Sequence, residues 1–131
     1  MAALKYSRQR EAIKEYLAST TDHPTADSVY LHVKEEFPRI SLGTVYRNLN
    51  LLADMGEVLK ITTPNGGDRF DGNTEPHYHV LCTECGRIYD LSMDILDSVN
   101  QIANENYGGI IKSHTTLFYG ICENCLKNKT K

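Results

Sequence analysis

The chain has 131 residues, 40% of them hydrophobic, with a mean hydropathy of −0.41 and a formal net charge of −3. That length supports one compact domain or two very small ones, no apolar run is long enough to span a bilayer, and no signal-peptide pattern opens the chain, so a cytoplasmic protein without a membrane partner is expected. Residues 1–60 hold 8 Lys and Arg against 8 Asp and Glu, and residues 61–131 hold 6 against 9, which excludes a simple phosphate-coating protein; any DNA binding must use a local basic face and a bound cation.

Ser7 is placed to cap a first helix in which Ala12, Ile13, Tyr16 and Leu17 share one face, and His23-Pro24 ends it. Thr25 caps a second helix, with Val29, Tyr30, Val33 and Phe37 at helical spacing before Pro38. Ser41 caps a third, with Val45, Leu49 and Leu52 as its buried stripe and Gly56 as its stop. The period then changes from helix to strand. Residues Val58 to Thr63 and Asp68 to Phe70 flank the turn Pro64-Asn65-Gly66-Gly67, a hairpin directly after a helix-turn-helix.

The polar stretch 71–76 reads as a linker. Beyond it, strands are expected at 78–81 and 87–91, a helix from Ser92 to about Gly108 with Ile95, Leu96, Val99 and Ile102 inward, a long strand over 110–121, and a polar tail. The expected fold is α+β: a winged helix-turn-helix domain over residues 1–70, the linker, and a small α/β dimerisation and metal-binding domain over 77–131. So small a unit, with an open strand edge, needs a second copy to bury its apolar surface, which points to a homodimer.

Three groups of residues carry chemistry. Cys82-x-x-Cys85 and Cys122-x-x-Cys125 can each turn two sulfurs toward one ion, and together they complete a closed tetrahedral shell typical of structural zinc; two redox dithiols or an iron–sulfur site are the alternatives. His77 and His79, two apart on a strand, face the same way. With Asp71, Asp90 and the distant His23 they make a set of three nitrogens and two oxygens that suits Fe(II) or Mn(II) while leaving room for zinc. An ion held by all five would clamp the two halves in one orientation, and DNA could favour that same arrangement. On the third helix, Thr44, Tyr46, Arg47 and Asn50 are exposed positions with side chains suited to phosphates and base edges. Of the remaining histidines, His32 reads as a solvated helix residue and His114 as a strand residue.

Several stretches resemble the ferric uptake regulator family: His23-Pro24-Thr25-Ala26-Asp27, residues 41–49 (SLGTVYRNL), Arg69-Phe70-Asp71, His77-Tyr78-His79, Cys82-Thr83-Glu84-Cys85-Gly86 and Cys122-x-x-Cys125. Within the family the chain is most similar to the peroxide-sensing branch, because Asp stands at 71 and 90 where iron sensors commonly carry Glu. The resemblance implies a structural zinc on the four cysteines and a regulatory Fe(II) or Mn(II) on His23, Asp71, His77, His79 and Asp90. It also implies a repressor that binds a palindromic double-stranded operator as a metal-loaded dimer. Fe(II) and hydrogen peroxide would oxidise His77 or His23 and end repression, whereas Mn(II) would support binding without sensing. Family members usually carry a further helix before the segment that here reads Lys5-Tyr6-Ser7-Arg8-Gln9-Arg10, so a lower DNA affinity is expected. An iron- or zinc-responsive repressor of the same fold is the alternative. A metalloenzyme is not expected, since no spare general base accompanies the ligand set, and a zinc-stapled protein-interaction module would leave the winged helix unexplained.

Overall fold

The computed structural model describes residues 7–64 and 67–129. They fall into two compact units, Met1–Thr74 and Glu75–Lys131. The segment around Lys5 and the centre of the Asn65-Gly66 turn lie outside the described residues.

In the first unit, α1 (Arg8–Ser19), α2 (Ala26–Val33) and α3 (Leu42–Asp54) precede a two-stranded antiparallel hairpin, β1 (Leu59–Ile61) with β2 (Arg69–Asp71). Each helix starts at the residue its capping chemistry indicates. The side-chain oxygens of Ser7, Thr25 and Ser41 accept from the backbone N–H of Arg10, Ser28 and Thr44 respectively, so each removes one of the unpaired donors at a helix start. Gly56, at φ 75°, supplies the left-handed turn after α3. The helix stripes meet in a core of Ile13, Leu17, Val29, Val33, Val45, Leu49 and Leu52, closed by Val58 and Phe70 from the hairpin side. α2 ends at Val33, short of Phe37, because the chain tightens into a turn over residues 34–36; Phe37 still reaches the core, and its N–H donates to the Val33 carbonyl at 2.9 Å.

Asp71 belongs to β2, opposite Leu59, and not to a linker. Gly72 follows it at a close approach: a Cβ there would stand 2.5 Å from the carbonyl oxygen of Leu17 in α1. The polar composition of this stretch therefore conceals a packing point where only glycine fits.

The second unit is a three-stranded sheet in the order β4 (Ile88–Leu91), β3 (Tyr78–Cys82), β5 (Leu117–Gly120). β3 is antiparallel to β4 and parallel to β5. The helix expected from Ser92 begins later, as α4 (Asp97–Glu105). The Leu96 N–H is held by the Tyr78 hydroxyl at 3.0 Å, which draws the chain before Asp97 along an extended path. Nor does α4 bury its apolar stripe: Leu96, Val99 and Ile102 are 48%, 42% and 59% exposed. The long strand expected over 110–121 shrinks to β5. Ile111 spends its backbone N–H and carbonyl on the side chain of Asn104, at 2.8 and 3.0 Å, so this part of the chain is satisfied by a helix side chain and not by a neighbouring strand. The expected polar tail forms a short helix, α5 (Glu123–Lys129), with an i,i+4 pair between Glu123 and Lys127.

Candidate metal centres and nucleic-acid interface

The cysteine pairs arrive from two places. Cys82 ends β3 and Cys85 follows it in a turn whose exit is Gly86 at φ 78°, while Cys122 and Cys125 bracket the start of α5. Parallel pairing of β3 with β5 sets Cys82 opposite Gly120 and thereby brings the second pair to the first. The four sulfurs lie within 4.8 Å of one another, with Cys82 Sγ 3.8 Å from Cys125 Sγ and Cys85 Sγ 3.9 Å from Cys122 Sγ. A tetrahedron with metal–sulfur bonds of about 2.3 Å spaces its sulfurs about 3.8 Å apart. The cluster therefore has the dimensions of a one-ion site, far longer than the ~2.05 Å of a disulfide bond.

Backbone donors prepare the thiolates. The N–H groups of Cys85 and Cys122 donate to Cys82 Sγ at 3.4 and 3.3 Å, and that of Cys125 to Cys122 Sγ at 3.5 Å. The first two hold the Cys82 thiol down at about 6. The Cys122 thiol is lowered first by the Cys125 N–H and then by the hydroxyl of Tyr89, whose own ionisation that bond helps push up to about 12. Cys125, sharing its proton with these neighbours, moves the other way, to about 12, chiefly through its hydrogen bond with Cys122. Four sulfurs gathered in a closed shell fit a structural divalent ion and leave no open position for substrate.

The remaining ligand candidates form one group in each unit. In the first, His23 sits between α1 and α2 with φ 50°, a left-handed conformation that costs a non-glycine residue about 1–2 kcal/mol. The loop is sewn to β2: Arg69 donates to the His23 carbonyl at 3.2 Å, Phe70 N–H donates to the Pro24 carbonyl at 3.0 Å, and Thr25 forms a bridge with Arg69. This fixes His23 Nε2 3.2 Å from Asp71 Oδ2, with both side chains buried. In the second unit, His77 lies one residue before β3 and His79 within it, on the same face, their rings 4.3 Å apart. Asp90 stands opposite His79 in β4, and its Oδ1 is 2.9 Å from His77 Nε2 and 3.2 Å from His79 Nε2. Imidazole and carboxylate groups so arranged can hold a borderline divalent cation. His114 is engaged otherwise: Tyr78 Oη and Asn100 Oδ1 each lie 2.6 Å from one of its ring nitrogens.

On α3, Tyr46, Arg47 and Asn50 are exposed and Thr44 is half-buried. The Thr44 hydroxyl accepts from Ser41 at 2.9 Å and lies 3.5 Å from an Arg47 nitrogen, so it supports the helix start and the arginine. Asn50 Oδ1 accepts from Lys60 of β1 at 3.1 Å, tying the helix to the hairpin and adding a cation that the sequence reading did not single out. Arg69 was also not among the site candidates; it acts through pairing register, which single-residue chemistry does not reveal.

A family model described as the ferric uptake regulator family matches residues 1–119. The chain belongs to the ferric uptake regulator family. A related family member, the peroxide-responsive repressor PerR of Staphylococcus epidermidis, is 40% identical over 124 residues, 95% of this chain and 83% of that protein. Among solved structures, the peroxide stress regulator of Campylobacter jejuni superposes with a TM-score of 0.76 at 35% identity, covering 89% of this chain and 88% of its own. The ferric uptake regulator Fur of Helicobacter pylori superposes with a TM-score of 0.79 over 94% of this chain and 83% of its own; at 24% identity that likeness carries the fold alone. These likenesses agree with an N-terminal winged helix followed by a small α/β domain.

Proposed function

We propose that this family member is a metal-dependent transcriptional repressor that responds to hydrogen peroxide and is not an enzyme. The observation that carries the reading is the pair of histidine–aspartate groups, His23 with Asp71 and His77–His79 with Asp90, in a chain 40% identical to a peroxide-responsive repressor. In this reading the four cysteines hold a structural zinc. His23, Asp71, His77, His79 and Asp90 together hold one regulatory Fe(II) or Mn(II), which joins the two units. Bound Fe(II) would supply the redox chemistry that turns peroxide into an oxidant of an adjacent imidazole. The protein's part is to set His77 and His23 beside that chemistry, to orient them through Asp90 and Asp71, and to lose the joint site when either ring is oxidised. The exposed stripe Leu96, Val99 and Ile102 is covered by a second copy, giving a dimer that reads a palindromic operator with Tyr46, Arg47, Asn50 and the Thr44 end of α3. An operator-binding repressor of this kind acts in the cytoplasm; among the described residues no helix is long and apolar enough to cross a membrane. The relatives favour this reading over an iron- or zinc-responsive repressor without peroxide chemistry.

Peptide mass spectrometry after a brief peroxide pulse tests it. One added oxygen on His77 or His23 is expected in Fe(II)-loaded protein and not in Mn(II)-loaded protein. An iron-loaded protein whose histidines stay unmodified would overturn peroxide sensing and leave the zinc site standing.

A further inference from the structure

Asn50 and Lys60 meet where the third helix passes the hairpin. Asn50 shares an exposed face of α3 with Tyr46 and Arg47, one turn back. Lys60 projects from β1, with its Nζ 3.1 Å from Asn50 Oδ1 and 3.3 Å from Oδ2 of Asp68, the residue just before β2. The ammonium is therefore held from two sides, by the helix and by the opposite arm of the hairpin. An ammonium only donates, so the atom of the Asn50 amide that it meets is the carbonyl oxygen. This settles which way the amide faces: its oxygen is turned to Lys60, and its NH2 group is the end left over.

That bond changes what the side chain can read. A free Asn amide pairs with adenine by accepting from the N6 amino group while donating to N7. Here the accepting end is taken. A carbonyl oxygen has a second lone pair, but the hydrogens of a base amino group carry positive partial charge, and they would arrive beside the full positive charge of Lys60. Inside a groove with little water that repulsion is strong. Guanine and thymine show only acceptors among their polar atoms in the major groove, O6 with N7 and O4 respectively, and meet the Asn50 NH2 group without this conflict. The charge of Lys60 is itself met by Asp68 within the protein, which leaves it poorly suited to a phosphate. We propose that Lys60 is a positioning residue for operator recognition, which makes Asn50 a hydrogen-bond donor that selects the acceptor edges of guanine or thymine and rejects base amino groups. This rests on the operator-binding reading above.

The test uses the full chain loaded with Mn(II) and duplexes selected from a randomised pool. A parent protein that enriches no sequence would refute the operator-binding reading itself, and this proposal with it. Where a site is enriched, Asn50→Ala marks the base pair that Asn50 reads. Analogues are then placed at that pair, each measured against Asn50→Ala on the same duplex to cancel effects on the DNA alone. Removing the acceptor, with 7-deazaguanine or a pyrimidinone lacking O4, is expected to weaken the parent on the order of 10-fold. Removing an amino group, with purine in place of adenine, should leave its affinity unchanged. In Lys60→Met the carbonyl is released, so loss of the amino group should now weaken binding, and Lys60→Arg, which keeps a cation, should restore the parent's pattern. A Lys60→Met protein that keeps the parent's base pattern would overturn the proposal; if its slope of log affinity against log salt has also flattened by about 0.9, Lys60 is a phosphate contact instead. A parent that already needs the amino group, or a selected site with no pair that responds to Asn50→Ala, would equally overturn it.

Discussion

The two units solve the problem of small size in different ways. The first fills its interior with its own side chains: three capped helices and a hairpin enclose a continuous apolar core, and its buried polar residues are few, His23 and Asp71 among them. The second has a three-stranded sheet, a helix with no buried residue, and four cysteines gathered at one end. A unit of that kind has little burial of its own to offset its chain entropy, so the proposed zinc and second copy would carry much of its stability. In the proposed function the first unit would thus be a self-supporting reading head, and the second a conditional device whose integrity reports what is bound to it.

The strongest way to break this contrast is Cys122→Ser. Structural zinc sites supply on the order of 10 kcal/mol of folding free energy, so this variant should lose its zinc and the cooperative melting of the second unit while the helical unit keeps its own transition. Differential scanning calorimetry with zinc analysis decides it; an unchanged thermogram would mean that the sheet stands without the ion. His23→Ala strikes the first unit alone. It should retain zinc yet lose metal-dependent operator binding by roughly 5–150-fold, the usual range for coupling between two sites. Fluorescence anisotropy with and without Mn(II) measures this, and equal metal dependence in both proteins would show that the two units are not linked through this residue. Arg47→Ala should act on a similar scale, weakening operator binding by about 1–3 kcal/mol, but should leave the metal dependence intact. An affinity equal to the parent's at moderate salt would remove Arg47 from the interface.

The same contrast explains what was legible in the sequence. Helices in the first unit are specified locally, by a cap at Ser7, Thr25 or Ser41 and a stripe at helical spacing, so their starts could be placed to the residue. Local signals fail in the second unit. The start of α4 is set by the Tyr78 hydroxyl holding Leu96, and the irregular path near Ile111 by the side chain of Asn104; both are contacts between distant residues, and both override a favourable apolar periodicity. The tail past Cys125 looked polar because a short, exposed helix buries nothing that could mark it. The metal groups were legible wherever spacing alone brings donors together, as in the two C-x-x-C turns and the His77–His79 alternation. Asp90 and His23 could be named as candidates by residue type alone, but not located, since strand register places the one and the loop sewn to β2 places the other.

The parallel pairing of β3 with β5 also sets an order of events in time. β4 returns directly along β3 across a short turn, whereas the sulfurs of Cys82 and Cys125 are joined across 43 residues of chain. Closing that longer loop is entropically the slower step, and a parallel strand gains its hydrogen bonds only after the closure has been made. The hairpin should therefore assemble early and wait with one edge open, and capture of the ion by the second cysteine pair should be the event that completes the sheet. Until then the exposed edge of β3 is available to other chains, so, with zinc as the proposed ion, its supply during synthesis would set how much of the newly made protein matures and how much aggregates.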